Sequence, residues 1–223
     1  MKKIIDSSKD TLEHIIKVGN YLDIIIDNLK KYKKIELQDN INNITVVDLL
    51  YFLLYGENLP FKNKLLNSIY NNSINYKLSE DQFITQEMLY KKYIDELCDR
   101  KDNHDKTKLE YPEKQEFDKY NKRLRELTYG SEEYKQNLYL LRDALCHHYR
   151  YNRHHPEHFG NGIYGMSIMD LTEMICDWKA ASERQDNGNV FDGIEKSSTR
   201  FNYDKKMIRI LSNTVEKYFI NGE

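Results

Sequence analysis

An all-α protein is what this sequence predicts, and three observations carry the prediction. Apolar residues recur at three- and four-residue spacing along most of the chain, while strand-type alternation is weak throughout. Only 3 prolines and 9 glycines interrupt 223 residues, so helix breakers are few. Helix-start chemistry recurs as well: Thr45 with Asp48, and Ser167 with Asp170, have the spacing of capping boxes.

The elements follow in order. Leu12, Ile15, Ile16, Leu22, Ile26 and Leu29 place an amphipathic helix over 8–31, with Ser7 or Ser8 to cap it. After a polar, Asn-rich stretch, the Thr45 box opens a short apolar helix, Val46 to Tyr55, which Gly56 stops. Further helices are expected over 61–71 and 85–102. In the second, Leu89, Tyr93, Ile94 and Leu97 make one face, and seven residues beyond Leu97 that face reaches His104. Pro112 suits a first helical turn, and a helix over 112–128 runs through Phe117, Tyr120, Leu124 and Leu127 to Gly130.

Ser131-Glu132-Glu133 starts the next helix, with acid where the helix dipole favours it. Its apolar line, Tyr134, Leu138, Leu141 and Leu145, extends to His148, Asn152 and His155 before Pro156 stops it. Ser167 and Asp170 open an acidic helix over 168–183. Two more helices, about 190–200 and 204–219, follow the loop Asp186-Asn187-Gly188-Asn189.

At this length the chain is one large domain, 1–223, with residues 33–87 read as an insertion that serves as a lid, a dimer surface or elaboration. A net charge of −2 without a basic stripe disfavours strong nucleic-acid binding. No run of eighteen apolar residues exists, so no membrane span is expected. The three cysteines form no CxxC pair, and the N-terminus lacks an apolar signal segment. Both point to a cytoplasmic protein whose thiols pack as small hydrophobes.

Histidine usage is the informative departure. Five of the 7 histidines fall between His147 and His158. Imidazole is the commonest ligand of transition metals, so this concentration points to a metal site. His148 lies on a core-facing line and needs a partner there; whether it or His147 is the ligand stays open. His154 and His155, adjacent before a glycine-rich turn, can face one or two cations. His104 and Asp105 can both reach one ion from a helix end. On the acidic helix, Asp170, Glu173 and Asp177 share a face at i, i+3 and i+7. Asp170 is the capping acid and Glu173 reads as a surface acid. Asp177, beside the single tryptophan Trp178, calls for a cation partner. His14, one turn after Asp10, reads in isolation as an ordinary boundary histidine.

Taken in order, His14, His104-Asp105, His148, His154-His155 and Asp177 resemble the H…HD…D pattern of the HD-domain superfamily, helical metal-dependent phosphohydrolases. His104-Asp105-Lys106-Thr107-Lys108 is similar to that family's HD-x-G-K element, with Thr107 where glycine is usual. His154 to Tyr164 is similar to the HHE…DG-x-GY region of the HD-GYP subgroup, but Glu157 is displaced, the following Asp is absent and GYP is not reproduced. The run from His104 to Ala181 also resembles an uncharacterised group of bacterial and phage proteins, with YGSEEYK, HHYxxNRHHPEH and EMxxDWKAA blocks.

The HD resemblance implies an HD-like helical bundle with a helical insertion. It implies metal ligands at His14, His104, Asp105, His148, His154, His155 and Asp177, and one or two divalent transition ions. Mixed imidazole and carboxylate donors suit Mn, Fe, Co, Ni or Zn. The expected activity is hydrolysis of a phosphomonoester or nucleotide-type substrate by metal-activated water, with Asp105 bridging. Lys108 is the expected phosphate clamp, and Arg150 and Arg153 are further phosphate contacts. A rival expectation is a non-enzymatic interaction protein whose metal staples helices; a nucleic-acid module ranks lowest. A homo-oligomer is compatible with either.

Overall fold

The structure, a computed structural model, describes residues 6–31, 43–55, 63–75, 86–127, 131–184 and 188–222. Among these residues the fold is all-α, with ten α-helices and no strand. They are α1 (Ser8–Lys31), α2 (Val46–Tyr55), α3 (Lys64–Asn75), α4 (Gln86–Asn103), α5 (Glu113–Glu126), α6 (Glu132–Leu140), α7 (Arg142–Tyr151), α8 (Ile168–Ser182), α9 (Val190–Phe201) and α10 (Lys205–Thr214). Short 3-10 turns occupy Lys106–Leu109, Pro156–His158 and Gly162–Gly165, and a π-helical turn, Val215–Ile220, extends α10.

Helix α8 is the axis of the fold. Every residue from Ile168 to Asp177 is buried, so it is enclosed on all sides, as expected of a core helix rather than an amphipathic surface one. Both arms of its capping box are made: Asp170 Oδ2 accepts from the Ser167 N–H at 2.8 Å, and Ser167 Oγ accepts from the Asp170 N–H at 3.2 Å. Helices α1, α4, α2, α3 and α9 pack around it. The Thr45–Asp48 box at the start of α2 is likewise closed.

Residues 46–52 are all buried, and Leu65, Leu66 and Ile69 of α3 join the same apolar cluster as Leu22, Met174 and Ile210. The described part of the 33–87 segment therefore contributes to the one core; residues 33–42, 56–62 and 76–85 lie outside the described residues. Leu50, fully buried, gives a direct check. Leu50→Ala is expected to lower unfolding stability by about 2–5 kcal/mol through lost transfer energy and a residual cavity, read from a urea midpoint.

Several sequence expectations need correction. The inner face of α1 is Thr11, His14, Val18, Leu22, Ile25 and Leu29, while Leu12 and Ile16 are 47% and 61% exposed. His14 takes an inward position near the start of the helix because the buried acids Asp105 and Asp177 lie opposite it. Ser7 Oγ makes no hydrogen bond; the Ser7 N–H instead donates to Asp118 of α5 at 2.7 Å.

The helix expected from Ser131 to His155 is two helices. A break at Leu141 separates α6 from α7, and α7 ends at Tyr151. Asn152 is extended there (φ −117°, ψ 107°) and its amide donates to Thr107 Oγ1 and to the His148 carbonyl, both at 2.9 Å. His155 precedes proline, which disfavours helical backbone, and it too is extended (φ −98°, ψ 126°). Of the cysteines, Cys176 is buried and Cys98 half-buried, but Cys146 is exposed and does not pack as a hydrophobe.

Candidate metal centre

The acids of α8 and the histidines of four other segments meet at one end of the core. Helix α1 supplies His14. The residues just past α4 supply His104 and Asp105. Helix α7 supplies His148, and the extended stretch after it supplies His154 and His155. Helix α8 supplies Glu173 and Asp177. Asp105 has left-handed backbone (φ 54°, ψ 13°), which among non-glycine residues Asp and Asn adopt most readily. That turn ends the helical run and lets two consecutive side chains, His104 and Asp105, enter the same hollow.

Asp105 is fully buried and sits at the centre. Its Oδ2 faces His14 Nε2 at 3.6 Å and His104 Nε2 at 3.5 Å. Asp177 Oδ1 closes that side, 2.8 Å from His14 Nε2 and 3.7 Å from His104 Nε2. The other oxygen of Asp105, Oδ1, faces His148 Nε2 at 3.3 Å and His154 Nε2 at 3.5 Å. His155 completes the second side, its Nε2 2.8 Å from His148 Nε2. The donor atoms of His14, His104, Asp105 and Asp177 thus lie within 4.8 Å of one another, and so do those of Asp105, His148, His154 and His155. All seven expected ligands are brought together, and His148 rather than His147 is the one inside.

Carboxylates behind the rings fix which nitrogen points inward. Glu173 Oε1 accepts from His104 Nδ1 at 2.8 Å and from His154 Nδ1 at 3.1 Å. Glu113 Oε2 accepts from His148 Nδ1 at 2.9 Å, and its Oε1 from His147 Nδ1 at 2.7 Å. A histidine whose Nδ1 proton is held by a carboxylate presents Nε2 with a free lone pair, the arrangement metal-binding histidines use. His104 Nε2, His154 Nε2 and Asp105 Oδ1 are buried and make no hydrogen bond. A buried acceptor without a partner costs free energy, so three converging ones suit a cation.

Protonation agrees with that chemistry. Burial pushes His14, His148 and His155 below the ordinary imidazole value, which keeps them neutral. Burial would raise Asp105, but the Lys108 ammonium and the surrounding imidazoles hold it well below the usual carboxylate range. Asp177 is held low despite its burial by the neighbouring His104 imidazole and the hydrogen bond with His14. His104 runs the other way: burial opposes its charge, yet Asp105, Asp177 and Glu173 carry it up to about 10 in the ion-free chain. A cation beside Asp105 would compete for the same carboxylate field and reverse that balance.

Sequence reasoning missed four residues that organise this centre. Glu173, read as a surface acid, is 5% exposed and aligns one imidazole on each side of Asp105. Arg100 reaches it at 2.9 Å and also pairs with Asp170 at 2.8 Å and Glu96 at 2.9 Å. Glu113, not singled out in the sequence, holds His148. Asn152 ties α7 to the turn after Asp105. Two expected phosphate contacts are placed elsewhere. Arg153 is committed to Asp170 through two hydrogen bonds at 3.0 and 2.9 Å, so it braces the 152–155 stretch. Arg150 is exposed, its guanidinium 5.9 Å from the Tyr151 ring. Lys108 lies at the centre as expected, its ammonium 2.5 Å from Asp105 Oδ2.

One protein-family model matches residues 3–221, nearly the whole chain. The chain belongs to the DUF5662 family, a family of unknown function. No curated protein and no solved structure matches it. For this DUF5662 member the centre itself is therefore the ground for a functional reading. Among the described residues, no helix is long and apolar enough to cross a membrane.

Proposed function

We propose that this DUF5662 protein is a metal-dependent phosphohydrolase whose two divalent transition ions share Asp105. The observation that carries the reading is the division of Asp105: each carboxylate oxygen is turned to its own set of imidazoles. A structural site needs one closed set of about four ligands. Here seven ligand residues fall into two overlapping groups. His14, His104 and Asp177 would hold one ion with Asp105, and His148, His154 and His155 the other. Ligands of this mixed nitrogen and oxygen type suit Mn, Fe, Co, Ni or Zn. When bound, such ions supply Lewis-acid chemistry, acidifying water and offsetting charge that grows on a phosphoryl group.

The chain's own residues do the rest. Glu173 and Glu113 keep the Nδ1 protons and aim Nε2 inward. Lys108, its side chain 20% exposed, stands at the edge of the centre and would take a phosphoryl oxygen as a point charge. His155, the one ligand not fully buried, marks the side from which substrate enters.

Phosphate release from p-nitrophenyl phosphate and from a nucleoside monophosphate tests the reading. Chelator-treated protein is expected to lose turnover and to regain it with Mn, Co or Zn. Turnover unchanged by chelation would overturn it. A staple role has one observation in its favour, since six of the seven ligands are buried. It is distinguished by metal-loaded protein that melts higher yet turns over no phosphoester.

A further inference from the structure

A cleft of about 440 Å³ opens beside the centre, and His155 is part of its wall. His155 is the one ligand not fully buried, so this cleft is one side on which the centre meets the exterior. Its lining is neither strongly charged nor plainly polar. Glu157 and Asp192 offset Lys196 and Arg200, and Arg200 is already paired with Glu157. What remains distinctive is aromatic. Tyr149 follows the ligand His148, and its ring lies 5.0 Å from that of His155. Trp178 follows the ligand Asp177 and lies nearly parallel to Phe201. Both rings are only partly buried, and neither Tyr149 nor Trp178 belongs to the set that holds the centre.

Partly exposed aromatic faces beside a reactive centre favour flat ring systems through stacking and apolar burial. We infer that the cleft beside His155 binds a flat aromatic or heteroaromatic ring carried by the substrate, with Trp178 and Tyr149 as the specificity-determining residues. The inference rests on the phosphohydrolase reading for the phosphate end of the substrate; the ring end stands on the cleft alone. In that pose the phosphoester lies toward His155 and the ring toward α9.

The chain contains a single tryptophan, so its emission reports on this cleft directly. The experiment compares phenyl phosphate with glycerol 2-phosphate, which lacks a ring, on zinc-loaded protein, following Trp178 emission, affinity by calorimetry and phosphate release. Phenyl phosphate is expected to bind roughly tenfold more tightly, the scale of one aromatic pair, and alone to shift Trp178 emission. Trp178→Leu should erase the preference. Gly193→Phe is the second variant: Gly193 lines the cleft on α9 and a Cβ there meets nothing within 4 Å, so a side chain is accepted at this point of the cleft wall. It should abolish phenyl phosphate binding while zinc content stays that of the parent. Equal binding and hydrolysis of the two phosphates, unaltered by Gly193→Phe, would overturn the ring inference and leave the phosphohydrolase reading standing. If neither phosphate is bound or hydrolysed by zinc-loaded protein, the phosphohydrolase reading falls and takes this inference with it.

Discussion

Asp105→Asn is expected to empty both sides of the centre at once. The carboxylate is the only ligand common to the two groups, and each of its oxygens serves a different one. An amide offers one acceptor oxygen and no charge, so it cannot replace a shared anion. Asparagine tolerates the left-handed backbone at this position, so the fold should survive. Metal content measured by mass spectrometry should fall from two ions per chain toward none. Phosphoester turnover should drop by roughly 10²–10³-fold or more, the scale of losing one electrostatic stabiliser at a reacting centre. Asp177→Asn is the control: it belongs to one group only, so one ion should remain. Two ions retained in Asp105→Asn would show that the carboxylate is not shared.

Glu173→Gln is expected to weaken both ions although Glu173 need touch neither. One of its oxygens takes the Nδ1 protons of His104 and His154, one imidazole from each side of Asp105. The other accepts from Arg100 at 2.9 Å. In the glutamine variant the amide oxygen can serve the imidazoles, but the NH₂ then meets the Arg100 donor. If it flips, the imidazoles lose their acceptor. Loss of such a supporting carboxylate typically costs about 10–100-fold in metal affinity, and it should appear at both ions. Breaking a buried charge network from one side should also remove about 3–5 kcal/mol of stability. A merely structural role would lower the melting temperature and leave the cobalt(II) absorption spectrum of the loaded protein unchanged. The positioning role shifts that spectrum.

The helices were legible because their causes are local. The capping pairs Thr45–Asp48 and Ser167–Asp170 are three residues apart and close on themselves. The clustered residues were legible because histidine is rare elsewhere in the chain, 5 of the 7 falling between His147 and His158. The supporting residues were not, because a buried acid looks like a surface acid until its partner is known. Glu173 acquires its role from Arg100, His104 and His154, 73, 69 and 19 residues away in sequence. A signal was present: Arg100 lies on the last turn of α4, four residues before His104, and Glu173 shares a face with Asp170 and Asp177 on α8. Two charged faces of that kind invite pairing.

The end of α7 failed for a related reason. The apolar line through Leu141 and Leu145 continues on paper to His155, but Asn152 spends its amide on Thr107, across the hollow, and the chain leaves the helix there. Leu12 and Ile16 were misplaced because hydrophobic spacing assumes an apolar interior, whereas the first turns of α1 face buried acids. Arg153 resembled a phosphate contact by composition alone; Asp170 takes the Nε–Nη2 edge of its guanidinium.

Anomalous diffraction from crystals of the zinc-loaded protein, recorded at the zinc edge, tests the shared-carboxylate centre most directly. Two peaks are expected, one on each side of Asp105: the first among His14, His104 and Asp177, the second among His148, His154 and His155. A single peak, or zinc bound away from Asp105, would contradict it.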